Sequence, residues 1–265
     1  MKAIAFIGAG KMAEAILKQL LQGGGWKGSE VVLADTDENR LKQMAERYGT
    51  QTADSNQAAV EGAQVVLLAV KPQKLEEVIR EISGYITPEQ TVISIAMGKS
   101  TYFIEELLSE GIPVVRVMPN NPAMVGSAVS VLSYGTKAGE KAKGAAKEIF
   151  SCLGEVYEID ERYQDEAMAL SGCGPAYFYT VAEALCDAGV KLGLDRSLAL
   201  KLITGTMIGS GLMLRDTELH PALLKDMVTS PGGSTIAALE ALEESGLRNA
   251  FYKAVIAAWK RAKEV

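Results

Sequence analysis

Lys2-Ala3-Ile4-Ala5-Phe6-Ile7-Gly8-Ala9-Gly10-Lys11-Met12-Ala13 opens the chain, and an amphipathic run continues to Leu21. The apolar hexad reads as a buried strand, the two glycines as a tight turn, and the run that follows as a helix. This is the G-x-G-x-x-G/A dinucleotide fingerprint in its strand–turn–helix setting. Gly8 and Gly10 let a pyrophosphate approach the backbone, and Ala13 is small enough for the helix to lie on the strand. A second strand, Val31–Ala34, ends in Asp35, at the spacing where an acid receives a ribose diol. Lys2 before apolar residues also resembles a short leader, but Lys11 and Glu14 interrupt it at once and the fingerprint accounts for it better.

Working outward, the first half alternates short β-branched strands with helical patterns. Strands are expected at Ile4–Ile7, Val31–Ala34, Val65–Val70, Thr91–Ala96 and Val114–Met118, with Ala128–Leu132 and Glu155–Ile159 finishing the sheet. Such alternation predicts a parallel sheet covered by helices on both faces. After Asp160 the patterns are helical throughout: 162–170, 175–192, 196–214, 221–228, 235–244 and 247–263. The expected plan is an α/β Rossmann dinucleotide-binding domain over 1–159, then an all-helical substrate-binding and dimerisation domain over 160–265. Gly193, Gly205, Gly209 and Gly211 suggest close helix crossings, since a glycine inside a helix costs about 1 kcal/mol against alanine. The apolar stretch Leu198–Leu214 is expected as a buried helix rather than a membrane span, because Lys201 and several glycines interrupt it.

The chain has 265 residues, 48% of them hydrophobic and 23% charged, which excludes a disordered chain. A net charge of −6 with scattered basic residues argues against a nucleic-acid surface. Cys152, Cys173 and Cys186 lack metal-type spacing, so reduced thiols, a cytoplasmic location and no metal site are expected. The one histidine, His220, precedes Pro221 and reads as a helix cap. No Ser-His-Asp set, HExxH helix or GxSxG elbow can be assembled, which removes the hydrolase classes. Few candidate proton donors remain, and that scarcity suits reduction of an imine, which is basic, better than reduction of a ketone.

The second informative stretch is Asp226–Leu239, DMVTSPGGSTIAAL. A hydroxyl- and glycine-rich turn, Thr229–Thr235, leads into an apolar helix whose first N–H groups lack internal partners. Those donors and the positive end of the helix dipole favour a carboxylate. The same residues would also make an ordinary capped helix start.

Together these motifs resemble the pyrroline-5-carboxylate reductases, over nearly the whole length. The resemblance rests on Phe6–Gly10, on Leu68-Ala69-Val70-Lys71-Pro72-Gln73, on Arg116-Val117-Met118-Pro119-Asn120-Asn121-Pro122, on Leu170–Tyr177 and above all on Lys225–Ile236. It implies NAD(P)H-dependent reduction of the cyclic imine 1-pyrroline-5-carboxylate to L-proline. By matching position it places Gly8, Gly10, Lys11 and Met12 on the pyrophosphate, Asn56, Ala69, Lys71 and Pro72 along the cofactor, and Ala96, Gly98 and Asn120 beside the nicotinamide. Ser230, Gly233, Ser234 and Thr235 would hold the substrate carboxylate, Thr235 would also reach the ring nitrogen as the catalytic residue, and Glu161 would be an acid near the substrate. Met227 stands where some relatives carry a polar substrate contact. The resemblance implies a homodimer formed through the helical half, or a larger ring of dimers, acting on a small molecule with no nucleic acid or membrane partner.

On the cofactor, residues and resemblance pull apart. Relatives commonly use NADPH, whereas Asp35 can take both ribose hydroxyls of NADH and would repel a 2′-phosphate; NADH is expected to be favoured and NADPH to be usable. Two competing readings remain: a β-hydroxyacid dehydrogenase, which would need a lysine that Pro175–Thr180 lacks, and a non-catalytic sensor of redox cofactor, which would need no carboxylate turn.

Overall fold

A computed structural model describes residues 3–264. Its first compact unit comprises 3–173 together with 261–264; its second comprises 174–260.

The first unit is built on an eight-stranded sheet in the order β3-β2-β1-β4-β5-β6-β7-β8. The strands are β1 Ile4–Ile7, β2 Val31–Ala34, β3 Gln51–Thr52, β4 Val65–Leu68, β5 Thr91–Ser94, β6 Val114–Met118, β7 Ala128–Tyr134 and β8 Gly154–Glu158. The helices are α1 Lys11–Gly23, α2 Glu38–Tyr48, α3 Asn56–Val60, α4 Pro72–Ile82, α5 Thr101–Leu107, α6 Glu140–Ser151 and α7 Gln164–Ala167. β1, β2 and β4 are apolar at every position, and β5 is buried at every position, because both sheet faces are covered. Ile4, Phe6, Leu33 and Leu67 point to one face, where α1 and α6 supply Ile16, Leu17, Leu20, Ile149 and Phe150. Ala5, Ile7, Val66 and Leu68 point to the other, against Leu75, Ile79 and Ile82 of α4 and Ile104 of α5. Full burial of each large side chain stabilises by about 1.5–3 kcal/mol.

The expected all-parallel sheet is corrected in one place. β7 runs antiparallel to β6, while β8 is parallel to β7. Residues 119–127 are too few for a crossover, which takes a dozen or more, so the chain can only turn back. β3 has no counterpart among the expected strands, because Gln51 and Thr52 are exposed and polar and carry no apolar pattern. The expected helix over 162–170 is a turn at Glu161–Tyr163, the short α7, and a wide π-type turn at Met168–Gly172.

The first unit continues beyond Ile159, where the strand pattern ends, because this segment packs onto β7. Fully buried Gln164 donates to the Val131 carbonyl at 3.2 Å and to Ser133 Oγ at 2.9 Å. Met168 shares a small cluster with Met118, Val131 and Ala262.

The second unit consists of α8 Gly174–Lys191, α9 Arg196–Thr217, α10 Pro221–Met227, α11 Ser234–Glu244 and most of α12 Leu247–Ala262. Its buried residues are Gly174, Cys186 and Ala199. Leu198, Leu200, Leu202, Ile208, Leu212 and Leu214 are all exposed, which overturns the expectation of a buried helix there. One helix among the described residues, α9, is long and apolar enough to cross a membrane, at a mean hydropathy of 1.4. The glycine expectation is corrected as well. A Cβ added at Gly205, Gly209 or Gly211 meets nothing within 4 Å beyond its own stretch of helix, and Gly193 forms a left-handed turn at φ +95°. The close crossing lies elsewhere, where a Cβ on Gly189 of α8 would sit 3.1 Å from the Ala199 Cβ of α9.

Candidate cofactor and substrate sites

The fingerprint turn sits where β1, β2 and β4 end. The Gly8 N–H donates to the Ala34 carbonyl, and the Ala69 N–H to that of Ile7, both at 2.8 Å. Gly8 has φ +101°, and a Cβ there would lie 2.7 Å from the Ala69 oxygen, so only glycine fits. Gly10 caps α1 in extended conformation with no side-chain hydrogen bond, which leaves the N–H groups of Lys11 and Met12 for a ligand. Toward Gly10 the space is open; an added Cβ would touch nothing within 4 Å.

The sheet order reverses between β1 and β4, which opens a crevice at the carboxyl ends of the strands, the place where open α/β sheets take ligands. Gly8, Gly10, Asp35 and Ala69 border it. Ala96 and Gly98 follow β5, and Lys71 and Pro72 form the start of α4. Beyond β2 a cavity of about 890 Å³ is lined by Asp35, Glu38, Glu46, Asp54 and Glu81, with Lys42 as its one cation. Asn56 also lines it and donates to Glu81 at 2.8 Å.

Three sequence-predicted residues make contacts within the chain that their expected roles did not include. Asp35 uses both carboxylate oxygens on backbone, accepting the Ala9 N–H at 2.6 Å and the Asp37 N–H at 3.0 Å; Asp37, not Asp35, caps α2. Asn120 is buried, donating to the Ser171 carbonyl and accepting from the Val129 N–H, both at 3.0 Å. Its amide thereby ties the end of β6 to β7 and to the turn at Met168–Gly172. Glu161 accepts from the Thr101 N–H at 2.8 Å and from the Thr101 hydroxyl at 2.5 Å, and pairs with buried Arg116 at 3.4 Å. Asp165 is the second partner of Arg116, at 3.3 Å. The carboxylate thus holds the start of α5. Thr101 and Arg116 were not among the expected site residues, since nothing local in the sequence relates them to an acid 45 to 60 positions away.

In the second unit, the hydroxyl-rich turn leads directly into α11. Gly232 is left-handed at φ +67°, and Gly233 is the N-cap, extended and without a side-chain cap bond. The ordinary serine- or threonine-capped start is therefore not what forms. The Gly233 N–H closes the turn on the Ser230 carbonyl at 3.1 Å. A Cβ on Gly233 would lie within hard contact of Ser230 Oγ, so the glycine is what lets that hydroxyl lie over the helix end. Ser234 and Thr235 occupy the first two helical positions, beside backbone donors that have no partner within the helix. His220 caps α10, its Nδ1 accepting the Ala222 N–H at 3.2 Å. Among the described residues no group of three or more His, Cys, Asp or Glu side chains could hold a metal ion.

Two family models match the chain: pyrroline-5-carboxylate reductase dimerisation over 161–265, and NADP oxidoreductase, coenzyme F420-dependent, over 3–98. A pyrroline-5-carboxylate reductase of Methanosarcina acetivorans is 41% identical over 262 residues, 99% of this chain and 97% of that one. Among solved structures, a pyrroline-5-carboxylate reductase from Coxiella burnetii superposes with a TM-score of 0.92 at 35% identity, covering 99% of this chain and 98% of its own. The Plasmodium falciparum pyrroline carboxylate reductase, solved with NADP bound, gives 0.90 at 30% identity, covering 99% and 97%.

Proposed function

The chain belongs to the pyrroline-5-carboxylate reductase family, and on that footing we propose that it reduces 1-pyrroline-5-carboxylate to L-proline with NAD(P)H, the last step of proline biosynthesis. The observation that carries this reading is the start of α11. A glycine cap without a side-chain bond, flanked by Ser230, Ser234 and Thr235, is a carboxylate site of the kind this substrate needs. A bound reduced nicotinamide would supply the hydride for the imine carbon, and the basic ring nitrogen can bring its proton from solvent. The chain's own part is to bind and orient. Ser230, Gly233 and Ser234 hold the carboxylate, which fixes the ring for transfer. The Thr235 hydroxyl hydrogen-bonds the ring nitrogen. Glu161 serves from behind, by holding Thr101 at the start of α5, the helix that follows the Ala96–Gly98 segment. Purified enzyme should consume 1-pyrroline-5-carboxylate with loss of cofactor absorbance. Inertness toward this imine together with turnover of a 3-keto or semialdehyde acid would refute the reading.

For the cofactor we infer a preference for NADH with NADPH usable. Each Asp35 oxygen that accepts a backbone N–H keeps a lone pair for a ribose hydroxyl, and the adjoining cavity is lined by five carboxylates against one lysine. A 2′-phosphate there meets a negative field. The Plasmodium falciparum relative binds NADP, so the fold itself admits the phosphate. Asp35→Ser is expected to improve relative efficiency with NADPH while raising KM for both cofactors, because the Ala9 N–H loses its acceptor. A strong wild-type preference for NADPH that this substitution leaves unchanged would show that Asp35 does not read the ribose.

The second unit, we propose, is completed by a second copy of the chain. An 87-residue helical unit whose buried residues are Gly174, Cys186 and Ala199 has too little core to stand alone. The exposed leucines of α9 and the open faces of Gly205, Gly209 and Gly211 are surface that a partner's helices would cover, and the dimerisation family model spans this region. This assigns the apolar helix to assembly rather than to a membrane. The three cysteines are unpaired, consistent with a cytoplasmic home. Light scattering on dilution should show activity disappearing with the dimer, and an active monomer would contradict the assignment.

A further inference from the structure

The Ala9 peptide is gripped on both sides by residues that follow β2. Its N–H goes to Asp35 Oδ2 at 2.6 Å, and its carbonyl accepts from Arg40 Nε at 2.9 Å. Arg40 stands in the first turn of α2, the cation nearest in sequence to Asp35. Its guanidinium is nevertheless turned back onto α1, with Nη2 on Glu14 Oε2 at 2.5 Å. Glu14 is itself held, its Oε1 accepting from Arg47 Nη1 at 3.0 Å and from the Tyr48 hydroxyl at 2.9 Å. The Arg40 hydrogen bond outweighs burial and keeps the Glu14 carboxyl below the usual carboxylate range, so the pair persists at neutral pH.

We propose that Glu14, which would touch no part of the cofactor, determines specificity through Arg40: by holding the guanidinium on α1 it withholds from a 2′-phosphate the arginine best placed to bind it. This rests on the reading above that the ribose lies beside Asp35. Arginine is the preferred partner of a phosphate because its fork donates two parallel bonds. The Nε and Nη2 side of the Arg40 fork is committed to the Ala9 carbonyl and to Glu14, so that side can meet a phosphate beside Asp35 only if Arg40 releases both. The device therefore selects against one ligand rather than for the other.

The test compares kcat/KM for NADH and NADPH in the assembled enzyme. Glu14→Gln should raise the NADPH-to-NADH ratio about tenfold, mainly through KM for NADPH, and the Glu14→Gln/Arg40→Met double variant should lose that gain. Arg40→Met alone should raise KM for both cofactors and leave the ratio within about twofold. Should Glu14→Gln fold poorly, Glu14→Asp keeps the charge but cannot reach Arg40, and it should move the ratio the same way. A ratio unmoved by either Glu14 variant, or equal losses with both cofactors as a purely structural role would give, overturns the proposal while leaving the Asp35 reading intact. A wild-type preference for NADPH that Arg40→Met abolishes would overturn both.

Discussion

Thr235→Ala is expected to lower kcat by roughly 30- to 1000-fold, which corresponds to about 2–4 kcal/mol of barrier for a lost donor where charge changes. The substrate arrives with a basic ring nitrogen and leaves with an amine, so a hydroxyl at that nitrogen acts on the reacting atoms. Thr235 is the second residue of α11, next to the uncapped helix start. Binding of the reduced cofactor should stay near normal in a fluorescence titration, because the fingerprint belongs to the other compact unit. Thr235→Ser keeps the hydroxyl and should recover most of the turnover. Wild-type kcat in Thr235→Ala would remove the hydroxyl from the mechanism and leave the backbone donors of the turn as the whole site.

Gly8→Ala should damage the fold and the cofactor site together. Holding a non-glycine residue at φ +101° costs about 1–3 kcal/mol. The added methyl would also meet the Ala69 carbonyl at 2.7 Å, and Ala69 is pinned at the end of the sheet by its N–H donating to the Ile7 carbonyl. Together these should remove at least about 2 kcal/mol of stability, read as a lower denaturant midpoint, and weaken cofactor affinity by 100-fold or more, about 2.7 kcal/mol. Gly10→Ala separates fold from ligand. At that position the methyl meets nothing in the chain, so the midpoint should hold while cofactor affinity falls. Equal behaviour of the two variants in both measurements would show that the turn is not the pyrophosphate seat.

The contrast between these glycines shows where sequence reasoning stops. Both belong to one motif, and the motif alone identified strand, turn and helix, because a tight turn beside a buried strand leaves few alternatives. It could not say that Gly8 is confined by β4, a strand that begins 57 positions later. The same holds for Asp35. Its place at the end of β2 was legible from an apolar run ending in an acid, but its grip on the Ala9 N–H was not. Asn120 was legible within the Arg116–Pro122 motif and Glu161 by its matching position, yet their partners Thr101, Arg116, Val129 and Ser171 could not be read from either. No periodicity relates such residues; the sheet order brings them together.

By itself, the sequence determined the alternation of strands and helices, the dinucleotide turn and the hydroxyl- and glycine-rich turn before α11, since each rests on local backbone chemistry and on which residues can be buried. The tertiary structure decided the rest: the reversal of β7, forced by a connection too short to cross over; the pairing of Arg40 with Glu14 across 26 positions; and the exposure of α9. That helix is apolar enough to be buried, and its burial depends on surfaces that this single chain does not supply, because hydrophobic patterning specifies that a face must be covered and not what covers it.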